Sequence, residues 1–321
     1  MVYADTSVAS RSYGGESSGP QVCYSLNGGL KWATYDYPFW YSELVDAGTT
    51  YCDIALDTNF YPHISYYYDG SDLKYAHLDE SGWHKTIIDE EGNVGKFNSI
   101  AIDSINRPHI SYGDETMPTT NYKLKYAYYD GSTWQIQVVT DDFNGWGTSI
   151  AVDSNNRPHI SYCGGEPNFF LMHAYYDDST WQTETVDDSG NVGMWYSSIA
   201  LDSSDRPRIS YYDNDHQTLK YASWDGTTWQ TETVDYAYGT GKFNCLALDP
   251  SGNPHISYSG TLKYASTAPF PFSEPSVGGI IIPIDELGLL TPHIGLISTI
   301  LVTTVATALY IKHAKHEKEK H

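Results

Sequence analysis

The apolar and aromatic residues of this chain fall in short runs separated by polar turn signals, and the same runs return at a fixed period. DIALDTNFYPHISY from Asp53 is matched by SIAIDSINRPHISY from Ser99, SIAVDSNNRPHISY from Ser149, SIALDSSDRPRISY from Ser198 and CLALDPSGNPHISY from Cys245. Each but the last leads into an LKYA-like segment, a D-G or D-x turn and a Trp-headed run such as WQTETVD from Trp181 and Trp229. The last keeps its LKYA, Leu262 to Ala265, and stops. Pro62, Pro108, Pro158, Pro207 and Pro254 mark the period at 46 to 50 residues, that of propeller blades rather than helical repeats. A sixth copy leads the others: PQVCYSLNGGLKWATYD from Pro20 matches the middle segments and WYSELVDAG from Trp40 the last.

Within one unit the pattern predicts four strands, SIALD (a), PHISYYD (b), LKYAYYD (c) and WQTETVD (d), joined as a meander that repeats radially. The Asp-Gly pairs at Asp130 and Asp225 suit hairpin turns with positive φ, and the a–b link is a polar turn ended by a proline that starts strand b. Nearly apolar strand a belongs at the axis, where blades crowd. Strands b and c, rich in Tyr and Ile, belong in mid-blade with both faces covered. The expected fold is an all-β propeller over residues 1–265, with units starting near 15, 53, 99, 149, 198 and 245. Six blades are expected, with five or seven as alternatives. The first unit has an indistinct strand a near Ser7 to Arg11 and the last has no clear strand d, so residues 1–15 are the segment available to supply either one and close the ring.

The pattern ALDSxGxPHISYYD, LKYA, W, VD resembles uncharacterised propeller repeats of bacterial and archaeal surface proteins, over roughly residues 15–265. That resemblance implies a fold and leaves the activity open. The c–d turns SWDGTTW from Ser223 and YDGSTW from Tyr129 also look like the Asp-box of sialidases, one residue short. In that family the box is a structural turn far from the catalytic centre. Sialidases grip a carboxylate with three converging arginines, and this chain has five arginines in all. Arg107, Arg157 and Arg206 occupy the same a–b turn of three blades, and Arg208 stands in place of a strand-b His, so with Arg11 they assemble no triad.

Composition agrees with the strand pattern. Aromatic residues are 15% of the chain and Tyr alone numbers 29, which moves the expectation to all-β. The formal charge of -22 excludes nucleic acid as a partner, because a phosphate backbone needs a basic stripe, and is read as solubility or a salty habitat. Cys23, Cys52, Cys163 and Cys245 show neither a CxxC pair nor metal-ligand spacing.

From Ser266 the repeat gives way to TAPFPFSEPSVGG, a Pro- and Gly-rich linker over 266–286 that in extended form reaches up to roughly 60 Å. Ile294 to Ile311 then runs 18 residues without a charge, the core of a transmembrane helix over 287–311. Residues 312–321, KHAKHEKEKH, form a basic tail that the positive-inside tendency keeps in the cytoplasm, so the propeller faces outward on a single-pass anchor. This tail resembles the C-terminal anchors of certain archaeal surface proteins, where GG-I-x-I-P-x-D-x-LGLL-x-P precedes the helix. Residues 1–15 carry no visible secretion signal, and there is no N-x-S/T sequon.

Candidate binding residues lie where the copies differ, on the face shared by the b–c and d–a loops. Tyr51, Phe97, Trp146, Trp195, Tyr196 and Phe243 enter strand a near the axis, and Asp69, Asp114, Glu115, Glu166, Asp213 and Asp215 stand in or beside the loops. Aromatic rings beside carboxylates stack on sugars and hydrogen-bond their hydroxyls; the alternative is that the rings only plug the channel mouth. No catalytic residue and no metal ligand is assigned. His63, His109, His159 and His255 repeat at one position that blade symmetry keeps apart, and the repeated Asp57, Asp103, Asp153, Asp202 and Asp249 read as turn formers. No cofactor is expected; Asp213-NDH starts like a calcium loop but lacks its Gly and terminal Glu, which keeps calcium as a weak alternative. The expected function is a membrane-anchored surface module that binds a glycan or an extracellular protein and is not an enzyme. A glycoside hydrolase or polysaccharide lyase, and a structural envelope protein, are the alternatives.

Overall fold

The computed structural model describes residues 8–10, 20–36, 39–116, 122–165, 168–260 and 262–267. The linker from 268, the transmembrane segment 287–311, the tail 312–321 and Glu166 lie outside the described residues. Blade I comprises β1 (Val8–Ser10), β2 (Pro20–Leu26), β3 (Gly29–Asp36) and β4 (Phe39–Ala47). Blade II is β5 (Thr49–Leu56), β6 (Pro62–Tyr68), β7 (Asp72–Asp79) and β8 (Gly82–Asp89), and blade III is β9 (Val94–Ile102), β10 (Pro108–Asp114), β11 (Tyr122–Tyr129) and β12 (Trp134–Phe143). Blade IV is β13 (Thr148–Val152), β14 (Pro158–Gly164), β15 (Phe170–Tyr176) and β16 (Trp181–Asp187), and blade V is β17 (Val192–Leu201), β18 (Pro207–Asp213), β19 (Thr218–Trp224) and β20 (Trp229–Asp235). Blade VI has three strands among the described residues: β21 (Cys245–Leu248), β22 (Pro254–Tyr258) and β23 (Lys263–Ser266).

Every sheet is an antiparallel meander in chain order, so the fold is the expected six-bladed propeller. Val8 pairs with Val22, which gives the first blade its strand a from residues 8–10.

The core lies between blades rather than within them. Strand alternation sends Leu73 and Tyr75 forward to blade III, where they meet Ile100, Ile110 and Tyr112; Lys74 and Ala76 point back to blade I. Five such clusters link blades I–II, II–III, III–IV, IV–V and V–VI. Burying one of these Ile or Leu side chains contributes about 1.5–3 kcal/mol. The Trp that heads strand d packs edge-on against the preceding blade: Trp134 on Tyr75 at 5.0 Å, Trp181 on Tyr126 at 5.1 Å.

Polar links reinforce the same seams. The strand-b serine of one blade reaches the residue entering strand a of the next, Ser65 to Asn98 (2.6 Å), Ser111 to Thr148 (2.8 Å), Ser161 to Ser197 (2.9 Å) and Ser210 to Asn244 (2.6 Å). The closing Asp of strand d accepts from the Tyr of strand b and the Lys of strand c one blade on. Asp89 takes Tyr112 (2.8 Å) and Lys125 (2.9 Å), and Asp235 takes Tyr258 (2.9 Å) and Lys263 (2.7 Å). These lysines are therefore parts of the repeat, which is why they offer no basic surface.

Candidate ligand-binding face

The two ends of the propeller differ in what their loops do. On the a–b side Asp103 Oδ1 accepts from the backbone N–H of Ile105 (3.0 Å) and Arg107 (2.7 Å), and its Oδ2 accepts from Arg107 Nε (2.6 Å). Asp153 repeats this arrangement. The repeated histidines span from these aspartates to strand c. His109 Nδ1 meets Tyr126 Oη at 2.5 Å while its Nε2 faces Asp103 at 3.3 Å. Burial pushes His63 and His159 down to about 4, so they are neutral structural groups near pH 7. In blade V Arg208 takes over, with its guanidinium 2.9 Å from Asp202. Each of these residues is engaged in holding its own turn.

The c–d turns share that end and are equally self-contained. Asp130 Oδ1 accepts from the N–H of Ser132 and Thr133, and Gln135 Nε2 donates to its Oδ2 at 2.9 Å. Asp177 and Asp225 do the same. The Ser179 hydroxyl, 2.6 Å away, and then those N–H groups hold Asp177 down at about 2.

At the opposite end the d–a loops deliver aromatic side chains to the heads of the innermost strands. Tyr51 lies 5.2 Å from Phe97, Phe97 lies 6.1 Å from Trp146, and Trp146 lies 3.8 Å from Trp195. Tyr196 meets Phe243 at 4.2 Å. All six predicted aromatics thus form a collar through blades II to VI, half-buried except for Phe243, which is 46% exposed. Three of them, Phe97 (φ 52), Trp195 (φ 74) and Phe243 (φ 51), sit in left-handed backbone. A bulky residue there costs of the order of 1–3 kcal/mol, and such strain collects at functional positions.

The loops reach this position through glycine. A side chain at Gly95 would meet Leu73 Cα at 2.8 Å, and one at Gly241 would meet Leu219 Cα at 2.7 Å, so only glycine lets each loop cross the preceding blade.

The carboxylates divide into two sets. Asp114 and Asp213 end strand b buried, Asp114 accepting from Thr116 N–H (3.0 Å) and lying 3.3 Å from Lys125, Asp213 holding His216 at 3.0 Å. They build loops rather than face outward. Glu115 pairs with Lys96 at 2.6 Å, and exposed Asp215 accepts from Asn191, whose N–H and side chain hold it below the usual carboxylate range. Asp69 is exposed in the b–c turn of blade II.

Four further residues join the collar. Lys96 stands 5.7 Å from the centre of the Tyr67 ring and Lys242 stands 5.4 Å from that of Tyr212. Tyr67 also contacts Tyr51 at 6.2 Å and donates its hydroxyl to Asn93 at 2.9 Å. The seams between blades II and III and between V and VI therefore carry matching sets: Tyr51, Tyr67, Lys96 and Phe97; Tyr196, Tyr212, Lys242 and Phe243. The tetrapeptide Gly-Lys-Phe-Asn, which occurs at 95–98 and again at 241–244, is the sequence signal that marks both.

Solved structures of similar shape are known. A fungal lectin from Aleuria aurantia, described as a six-bladed β-propeller with a novel fucose recognition mode, aligns over 86% of this chain and 98% of its own at 12% identity and a TM-score of 0.56. The fold is similar to that lectin propeller. The SapL1 lectin in complex with α-methyl fucoside aligns over 84% of this chain and 97% of its own, at 15% identity and a TM-score of 0.57. A protein of unknown function from Dyadobacter fermentans aligns over 82% and 93%, at 12% identity and a TM-score of 0.59. At these identities the likeness is one of fold. No family profile and no curated protein matches the sequence.

Proposed function

We propose that this propeller is a non-enzymatic recognition module that binds glycans through the aromatic collar and the two Tyr-Lys-Phe seams beside it. The observation that carries this reading is the collar itself. Six aromatic side chains from consecutive blades meet at one end, three of them held in strained backbone, with partly exposed faces for a sugar ring. Lys96 and Lys242 add donors for sugar hydroxyls. Two of the structural neighbours are lectins by name, and those named with a ligand hold fucosides, which supports a saccharide over a protein partner.

The carboxylates bear on the alternative of a hydrolase. Asp114 and Asp213 are buried and engaged in their own turns, and Glu115 is paired with Lys96, an arrangement that serves loop structure rather than proton transfer. Display at a membrane through Ile294 to Ile311, with the propeller outside, completes the proposal and rests on the uncharged run in the sequence.

A glycan-array screen of the full chain tests the reading, alongside a variant in which Trp146 and Trp195 are both Ala. Binding by the parent that falls at least about a hundredfold in the variant, with unchanged melting, is the expected result; base or sugar stacking of this kind is lost with the ring. A parent that binds no glycan, or a variant that binds as well as the parent, removes the collar from the reading.

A further inference from the structure

Blade II differs from the others at its c–d hairpin. His77 and His84 are directly paired across β7 and β8, and Asp79 lies two residues along β7 from His77, which puts all three on one face of the hairpin. Donor atoms of the three lie within 4.8 Å of one another. Elsewhere the cross-strand pair is Tyr128 with Gln135, Tyr175 with Gln182 and Ser223 with Gln230, none of which brings two imidazoles together.

From this juxtaposition we propose that His77, Asp79 and His84 form a binding site for a divalent transition-metal ion of the Zn²⁺ or Cu²⁺ class, on the rim of blade II away from the aromatic collar.

Donor chemistry supports the class. Two imidazoles and one carboxylate suit borderline ions, whereas Ca²⁺ takes six to eight oxygens. Asp79 is aimed at the site: Oδ1 accepts from Ser81 N–H and Ser81 Oγ, each at 2.7 Å, and faces His84 Nε2 at 3.0 Å. His77 supplies a second, independent observation. Its Nδ1 is buried with no hydrogen-bond partner, an unmet requirement at that position for either tautomer of a neutral imidazole.

The His77 ring is stacked between His84 at 5.0 Å and His63 at 5.8 Å, which fixes its plane. With bonds of about 2.0–2.2 Å, a tetrahedral ion brings its donors roughly 3.3 Å apart, so small rotations of exposed His84 complete the set. Three protein donors leave at least one position for water or for a donor from a partner.

Repeat symmetry supplies variants that keep the fold. His84→Gln restores the residue of blades III to V, and His77→Tyr that of blades III and IV. Zn²⁺ titration of the full chain by calorimetry, with bound metal counted by mass spectrometry, is run on the parent and on the double variant. The variant also retains His313, His316 and His321 of the tail, so metal held there appears equally in both. The parent is expected to bind one more Zn²⁺ per chain than the double variant, and Zn²⁺ to raise the Tm of the parent alone. Affinity for that extra ion should fall as the pH drops from 7.5 to 5.5, because protons compete for two imidazoles. Equal Zn²⁺ stoichiometry in the two proteins, or no uptake of Zn²⁺ or Cu²⁺ by a parent that melts cooperatively, overturns the site.

Discussion

The two ends of this propeller use the same repeat for different purposes. At the a–b and c–d end almost every blade places the same residues in the same bonds. Asp103 and Asp153 each hold a turn, Asn106 accepts from Thr58 N–H at 3.0 Å and Asn156 from Ser104 N–H at 3.2 Å, so neighbouring turns are tied in series. At the collar end the blades contribute Tyr, Phe or Trp from loops of different length, in backbone that costs energy to hold. Where polar groups hold the same turn in blade after blade the sequence repeats; where loops carry aromatic rings to the collar it varies. On the proposed reading stability belongs to the first end and recognition to the second, and substitutions at each should separate the two properties.

The largest effect is expected from Asp103→Ala. That carboxylate is 4% exposed and receives two backbone N–H groups and Arg107 Nε, with His109 beside it. Removing it leaves those part-buried donors without their acceptor and His109 without its charged neighbour, a loss of about 3 kcal/mol, or a fall in Tm of roughly 6–12 °C for a domain of this size. Glycan binding measured below the transition should be unchanged. A variant that melts like the parent but loses binding would reverse the assignment of the two ends.

Asp53→Ser sharpens the comparison from the opposite direction. Strand a carries Ser at this position in blades III to V, where Ser99 Oγ accepts from Ile150 N–H (3.3 Å) and Ser149 Oγ from Ile199 N–H (3.2 Å). In blade II the acceptor is Asp53, bonded to Ile100 N–H (2.9 Å) and Ser99 Oγ (2.8 Å), and burial pushes its carboxyl up to about 6. A carboxyl that ionises more readily in the unfolded chain than in the native one opposes folding above its native pKa. The Ser variant should therefore be more stable by about 1–2 kcal/mol at pH 7.5, after allowance for the acceptor strength lost, and the gain should shrink as the pH falls from 6 towards 4. Thermal melts at pH 7.5 and 4.5 check it; a gain that is the same at both pH values would show that ionisation is not its cause.

The fold was legible because the repeat is written in every layer at once. The strand-a Ile, the Tyr and Lys of strands b and c, and the strand-d Asp recur because each contacts a neighbouring blade, so one set of contacts constrains five seams. Strand a of the first blade was harder to read, since Val8–Ser10 carries no SIALD-like signature of its own. The collar aromatics were legible by position, but Asp114 and Asp213 were not distinguishable from open loop carboxylates. Their burial depends on Thr116, Lys125 and His216, contacts with no fixed spacing. The His77, Asp79 and His84 group was hidden for a related reason: a cross-strand pair depends on register, and the eye follows the repeated strand-b histidines instead.

Replacing Lys96 and Lys242 with Met tests the matching seams within the collar end. Lys96 leans on Tyr67 and pairs with Glu115, which outweighs partial burial and keeps it charged; Lys242 leans on Tyr212 from a more exposed position. Met keeps the apolar stem and removes the donor, so affinity for a glycan bound by the parent should fall about tenfold, consistent with the loss of one or two charged hydrogen bonds. Surface plasmon resonance on each single variant then reads the seams separately. Loss confined to one of them would mean that the repeated Gly-Lys-Phe-Asn serves packing at the other.

The smallest effect is expected from Asn106→Gly, which probes the tied end where its repetition lapses. Blade VI carries Gly252 at this place, and Asn106, like Asn156, holds a left-handed φ of 64°. Gly relieves the strain of that conformation but gives up the bond from Thr58 N–H, which is exposed and easily replaced by water. The two terms are each of the order of 0.5–1 kcal/mol and opposite in sign, so the net change in stability should stay within about 0.5 kcal/mol. A loss several times larger in denaturant unfolding would mean that the turn-to-turn bonds act as a connected ring, in which breaking one loosens its neighbours. Blade VI, whose Gly252 cannot make the bond, would then be the weak point from which the propeller opens.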